Sequence, residues 1–328
     1  MSDAKPDNAR SFEAADLTTG ESTEASQDVY VLFTMDCEAA KTDVTPYGSM
    51  MSSSGPSDYR ESERSIRHYV AAAGAHGFPA TLFVHPQVAA NQREFLLQLQ
   101  ETGVCLGLHL HPYKLVHGRY EWDLGAYAYE EQREILQEAT DLWENALEQR
   151  PYWFRGGYFS ANDSTFGLLH ELGFRGGSVS IPGRVLPEHC SVWAGAEAYP
   201  HRAHLGFRQV KGDSSFAEIP IAVDLKRPVE VGAAGEQGYE WPYIPADGYD
   251  HQKVVWDILE RLTMDAPRYG AIVMNTHNDK DYSNPGHPAS VNMRLILDAI
   301  ASSCAQMGLR PVGITVEDLC ALVLSEGW

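Results

Sequence analysis

Several residues have the types and spacing for metal and acid–base chemistry. Asp36-Cys37-Glu38 puts two carboxylates at i and i+2. On an extended chain these face one side while Cys37 turns away. Neighbouring carboxylates raise each other's pKa unless a cation compensates them. His109-Leu110-His111 repeats that spacing with imidazoles, which are good ligands for zinc and similar borderline ions. Together with one upstream carboxylate they form a one-carboxylate, two-histidine set, and a cation held there would acidify water. His117, in the loop after Pro112, is a reserve ligand. Arg155 precedes Gly156 and Gly157, residues that allow close backbone approach, and its guanidinium could pair with Asp36 and hold it ionised. His277 could protonate a leaving group, with Asp279 or Asp281 on its other nitrogen. Trp241, Tyr243, Tyr158 and Trp193 could wall a ring-shaped ligand. Taken singly, each has a plainer explanation: an acidic turn, solvated histidines, a surface ion pair, ordinary aromatic packing.

The elements that must position these groups give the pattern its weight. A buried-strand run, Val29 to Met35, leads straight into Asp36. A Ser/Gly/Pro loop spans 48–57, and a helix is expected from Glu61 to Ala73. The alternation continues with strand 80–84, helix 92–101, strand 104–109 and helix 129–148. Next come a short strand at 153–154, a helix over 163–172, and short strands near 177–179 and 218–221. Helix 251–264, strand 271–274, helix 289–307, a strand near 311–314 and helix 316–324 complete the series. Such alternation implies parallel strands with right-handed crossovers, an α/β sheet or barrel. Active sites in these folds lie at the C-terminal strand ends, where Asp36, Glu38, His109, His111, Arg155 and His277 are expected. The stretch 181–248, rich in Gly, Pro and aromatics, breaks the rhythm and is expected to be an insertion, elaborated as loops over the site.

Composition limits the partners. With a formal charge of −20, the surface repels nucleic acid and anionic membrane, so neither is an expected partner. No run of about 18 apolar residues is long enough to cross a bilayer. Residues 1–27 are polar and acidic, expected to be a disordered tail ahead of one catalytic domain over 28–328. They lack a signal-peptide pattern. The five scattered cysteines suggest reduced thiols, so a cytoplasmic protein is expected. Composition leaves a homo-oligomer open.

The order of these motifs resembles the NodB-homology polysaccharide deacetylases (carbohydrate esterase family 4-like), in a divergent branch, over roughly residues 28–322. The resemblance is carried by Thr34-Met35-Asp36-Cys37-Glu38, Gly107-Leu108-His109-Leu110-His111-Pro112, Phe154-Arg155-Gly156-Gly157-Tyr158, Glu218-Ile219-Pro220 and Met274-Asn275-Thr276-His277. It implies a distorted (β/α)7-type barrel that removes N-acetyl groups with one divalent ion, Zn2+ first, with Co2+, Mn2+, Fe2+ or Ni2+ as substitutes. It also implies Asp36 as base, Glu38, His109 and His111 as metal ligands, Arg155 as the group orienting the base, and His277 as acid. The chain departs from the family pattern in three places. Cys37 separates the two acids, Tyr113 stands where an HxxxH spacing would place the second histidine, and Gly156-Gly157 replace a proline-bearing arginine motif.

The reading preferred from the sequence is metal-dependent hydrolysis of a C–N amide bond, in an amino sugar or a related small soluble substrate. A cyclic imide, ureide or formamide hydrolase on the same scaffold is the first alternative. A non-catalytic sugar-binding module is the second. An iron oxygenase would use the same ligand set but sits poorly with α/β alternation.

Overall fold

A computed structural model describes residues 27–41, 55–115, 119–230 and 237–325. The tail expected over 1–27 lies outside them except for Gln27, as does most of the 48–57 loop. His117 also lies outside them.

The strands are β1 (Asp28–Cys37), β2 (Ala80–Val84), β3 (Cys105–Leu110), β4 (Trp153–Gly156), β5 (Gly176–Gly177), β6 (Val185–Leu186), β7 (Ser191–Val192), β8 (His201–Arg202), β9 (Ala217–Glu218), β10 (Asp224–Glu230), β11 (Gln237–Glu240), β12 (Ala271–His277) and β13 (Arg310–Gly313). The helices are α1 (Tyr59–Gly74), α2 (Pro86–Asn91), α3 (Arg93–Glu101), α4 (Tyr129–Leu147), α5 (Thr165–Glu171), α6 (His251–Asp265), α7 (Pro288–Met307) and α8 (Val316–Ser325).

One sheet runs β12-β1-β2-β3-β4-β5-β9-β8, parallel except for the last pair. β12 covers one edge of β1 over Tyr30–Asp36, while β13 and then β2 pair along Asp28–Val31 and Phe33–Cys37. The sheet curls into an incompletely closed half-barrel with helices around it, the distorted barrel that the alternation and the resemblance imply. Strands β1, β2 and β3 are apolar on both faces because side chains fill the barrel interior on one side and helices cover the other.

The helices follow their sequence signals. Asp58 caps α1 by accepting from the backbone N–H of Arg60 and Glu61 at 2.9 and 2.8 Å. Helix α7 starts with Pro288 in its first turn and stops at Gly308, whose φ of 68° suits glycine. It buries Met293, Ile296, Leu297, Ile300 and Cys304, a single stripe at helical spacing.

Three boundaries differ from the sequence expectation. Helix α2 precedes the expected helix, opened by Pro86 directly after the strand. Strand β12 continues past Met274 through His277, so Asn275, Thr276 and His277 stand on the strand itself. The polar residues obscure this because they are buried by function rather than by hydrophobicity. The stretch 181–248 is more regular than loops: β6, β7, β10 and β11 form a separate antiparallel sheet, and β8 and β9 join the barrel. Two-residue strands carry no periodicity for a sequence reading to detect.

Candidate metal centre and active site

Asp36 closes β1 directly opposite His277 on β12, and Glu38 follows just beyond the strand. His109 on β3 pairs in register with Arg155 on β4. Thus the six residues singled out from the sequence gather at one end of the sheet. Cys37 turns into the core, as an i, i+2 arrangement of the carboxylates requires.

The two carboxylates, equally buried, serve different partners. Asp36 Oδ1 accepts from Arg155 Nη1 at 2.8 Å. Its Oδ2 lies 3.5 Å from Asn275 Nδ2. Burial alone would raise the Asp36 pKa, but the Arg155 guanidinium, with His109 and His277, outweighs it and holds the carboxyl below its usual range. Arg155 is fixed in turn. Its Nη1 also donates to Thr34 Oγ1 at 2.8 Å, Nε to the Ser178 carbonyl at 3.1 Å and Nη2 to Ser178 Oγ at 2.8 Å. Its guanidinium lies 4.2 Å over the Phe83 ring.

Glu38 Oε1 faces His109 Nε2 at 3.4 Å and His111 Nε2 at 3.0 Å. Its Oε2 accepts from Lys114 Nζ at 2.6 Å. Burial would raise the Glu38 pKa, yet His111 and Lys114 hold it well below the carboxylate range. Asn278 braces the Glu38 backbone from both sides. Its Oδ1 accepts the Glu38 N–H at 2.9 Å and its Nδ2 donates to the Glu38 carbonyl at 3.0 Å.

Whether this triad suits a cation is decided by its outer hydrogen bonds. His109 Nδ1 lies 3.0 Å from the Arg155 carbonyl, which can only accept, so Nδ1 carries the proton and Nε2 presents its lone pair. His111 Nδ1 sits 2.8 Å from the Tyr113 hydroxyl and 3.7 Å from Asp123 Oδ1. Both Nε2 atoms therefore point at one carboxylate oxygen, and the three ligand atoms lie within 4.8 Å of one another. That donor set fits a divalent ion. Gly157 makes room for the His111 imidazole: a Cβ there would fall 2.1 Å from that ring. Tyr158 and Phe159, which follow, hold left-handed backbone at φ 53° and 57°.

His277 is held differently from the sequence expectation. Its Nδ1 lies 3.3 Å from the Tyr243 hydroxyl, whereas Asp281 is occupied by Ser283 and Asp279 pairs with Lys280. Burial lowers the His277 pKa, only partly offset by Asp36 and Glu38.

These groups open onto a cavity of about 410 Å³ whose lining includes Asp36, Glu38, His109, His111, Asn275 and His277. Its remaining wall carries Tyr158, Arg184, His189, Trp241 and Tyr243. Trp193 does not belong to it. That ring is fully buried, with Nε1 donating to the Phe159 carbonyl at 2.8 Å.

Sequence reasoning missed Tyr113, Lys114, Asp123, Arg184, Asn275 and Asn278. Asn275 and Asn278 stand beside His277 in a motif from which only the histidine was taken. Tyr113 and Lys114 follow the His-Leu-His-Pro run, and Tyr113, at the HxxxH position, orients His111 rather than replacing it. Asp123 and Arg184 come from irregular backbone and leave no periodic signal.

A buried Glu-His-His triad on the strand ends of a curled α/β sheet defines the class: a metal-dependent hydrolase acting on C–N bonds. Comparison agrees with the fold. Residues 58–177 match the family described as polysaccharide deacetylase, somewhat more than a third of the chain. A Mycobacterium smegmatis structure described as a polysaccharide deacetylase is 17% identical, with a TM-score of 0.55 and 92% of each chain covered. The PuuE allantoinase is 13% identical at a TM-score of 0.54, covering 94% of this chain and 97% of its own. A Pseudomonas aeruginosa structure, also described as a polysaccharide deacetylase, is 14% identical at 0.51, with 89% of each chain covered. No curated protein matches. The chain has the polysaccharide-deacetylase, NodB-homology, fold. Among the described residues, no helix is long and apolar enough to cross a membrane.

Proposed function

We propose that this protein hydrolyses the amide of an N-acetylated amino sugar or a related small soluble molecule. The observation carrying this reading is the placement of Asp36 and His277 as register partners on paired strands, lining the same cavity as the Glu38-His109-His111 triad. Glu38, His109 and His111 would hold one divalent ion, zinc by preference for this donor set. When bound, that ion supplies Lewis acidity to water and to the amide carbonyl. Asp36, kept ionised by Arg155, accepts the proton of the attacking water. Arg155 fixes the direction of that carboxylate through its own hydrogen bonds to Thr34 and Ser178. His277, oriented by Tyr243, delivers a proton to the departing nitrogen. Trp241 and Tyr158 line the same cavity and offer aromatic faces to a ring-shaped substrate.

A cavity of about 410 Å³ suits a small molecule and favours a monosaccharide-sized or cyclic amide over a polymer. The cyclic ureides form a second reading, supported by that cavity and by the likeness to an allantoinase. Residues 28–328 are taken as one catalytic unit. The buried unpaired thiols of Cys37, Cys105, Cys304 and Cys320 support a cytoplasmic location.

The test is a panel of N-acetyl amino sugars and cyclic amides, assayed for amine release and ring opening, alongside elemental analysis of the purified protein. One divalent ion per chain with amine release supports the first reading, and ring opening the second. Glycan binding with no metal and no turnover would leave a binding module.

A further inference from the structure

Arg184 is a buried cation with no counterion among the described residues. Its residue is 6% exposed, and it lines the same cavity as Asp36, Glu38 and His277. Among the described residues no carboxylate lies within ion-pairing distance of it. A guanidinium offers five donors. Here Nη1 reaches the Tyr158 carbonyl at 3.4 Å, and Nε has no partner. The guanidinium carbon lies 5.0 Å from the Trp241 ring centroid and 5.4 Å from that of Phe159. Burial lowers its pKa to about 10, which still leaves it charged at neutral pH.

Leaving a charge buried and unpaired is costly, so such a group normally finds a partner. Arg155, fully buried, shows the usual outcome, with its donors spent on Asp36, Thr34 and Ser178. Arg184 has the same surroundings of aromatic faces but no anion. The acids sharing its cavity do not supply one. Asp36 belongs to Arg155, Glu38 to Lys114 and the two histidines, and Glu188 is largely exposed, 3.6 Å from His189. The protein's overall charge of −20 repels anions at long range, so capture of one requires a local, desolvated cation of this kind.

We infer that Arg184 binds an oxyanion, a carboxylate or phosphate, carried by the substrate whose amide is cleaved at the triad. The planar fork of a guanidinium matches either group with two parallel hydrogen bonds. Arg184 and the triad line one cavity of about 410 Å³, so one small molecule can reach both. The substrate class is therefore an anionic amide, such as an N-acyl sugar acid or sugar phosphate, or an acidic cyclic amide. The inference rests on the hydrolase reading for its choice of cavity.

Calorimetric titration of the full-length protein with two matched pairs tests it: N-acetylglucosamine against its 6-phosphate, and hydantoin against hydantoin-5-acetate. Charge-assisted hydrogen bonds predict that the anionic member of at least one pair binds about tenfold or more tightly than the neutral one. Arg184→Gln should abolish that preference and Arg184→Lys retain part of it. Equal affinity within both pairs, no binding of either anion, or a preference that survives in Arg184→Gln overturns the inference. Arg184→Met, which keeps the stem and removes the charge, should melt no lower than the wild type. A lower melting temperature would show a structural cation and overturn it as well. Because binding is read without turnover, the two readings fail separately. Hydrolysis of neutral amides without anion preference removes only the anion site, and anion binding through Arg184 without any hydrolysis removes only the hydrolase.

Discussion

The cavity has two unlike sides. One is the rim of strand ends, where Asp36, Glu38, His109 and His277 stand on or beside β1, β3 and β12 and nearly every polar atom has a protein partner. The other is the wall drawn largely from 181–248, where short antiparallel strands and turns bring Arg184, His189, Trp241 and Tyr243 forward. Each side has a buried arginine. Arg155 behind the rim is saturated with hydrogen bonds, while Arg184 in the wall is short of them. The difference teaches that the rim is organised to hold reacting groups in place before any ligand arrives. The wall is organised to be completed by one. Preorganised geometry on rigid strands serves chemistry, and an unfinished polar surface serves selection.

Breaking the rim should have the largest effects. His109→Ala should lose the divalent ion, as measured by elemental analysis, and with it essentially all turnover. Asp36→Asn should keep the ion and lose activity by about 10²–10⁴-fold, the usual contribution of a positioned acid or base. A melting curve must accompany it because Arg155 then lacks its carboxylate. Full turnover by Asp36→Asn would end its role as base.

Loss of an outer partner should cost less. Asn278→Ala removes both braces on the Glu38 backbone, and Tyr113→Phe removes the hydroxyl at His111 Nδ1. Each is expected to weaken metal affinity by about 10–100-fold, measured by competition with a chelator, with the ligands themselves intact. Unchanged affinity in both would mean that the rim is held by the ligands alone.

The smallest effect concerns stability behind the site. Glu218 accepts from Val179 N–H, Ser180 N–H and Ser180 Oγ through Oε1, while Oε2 is buried without a partner. Burial dominates and raises its pKa from 4.5 to about 7. Since the folded state holds this proton more tightly, its contribution to stability is full below about 4.5 and is lost as pH rises through about 7. Glu218→Gln should abolish that slope, so the variant should be more stable than wild type at pH ~8, by at most about 3 kcal/mol, and melt higher there, with the gap closing in acid. Parallel melting temperatures at every pH would show that Glu218 stays ionised in the folded chain.

Much of the rim was legible in the sequence because local geometry dictates it. Strand period puts Asp36 and Glu38 on one side and sends Cys37 to the other, and buried apolar runs announce β1, β2 and β3 directly. Gly157 likewise predicted a close approach, realised against the His111 ring. The wall was legible only in part: Trp241, Tyr243 and Tyr158 line the cavity as the sequence suggested, but Arg184 and the strands that carry the wall left no signal. Its strands are often two residues long, and its polar groups owe their positions to pairings such as Gln237 with Val185, which no periodicity encodes.

By itself the sequence determined the α/β alternation and which polar residues stand at or near the strand ends, since both follow from interactions between near neighbours along the chain. Tertiary structure alone decided which partner each group received: Tyr243 rather than Asp279 or Asp281 for His277, Lys114 for Glu38, and, among the described residues, no carboxylate for Arg184. Those partners are distant in sequence or fixed by irregular backbone, and their contacts exist only once the sheet has curled and the wall has folded over it.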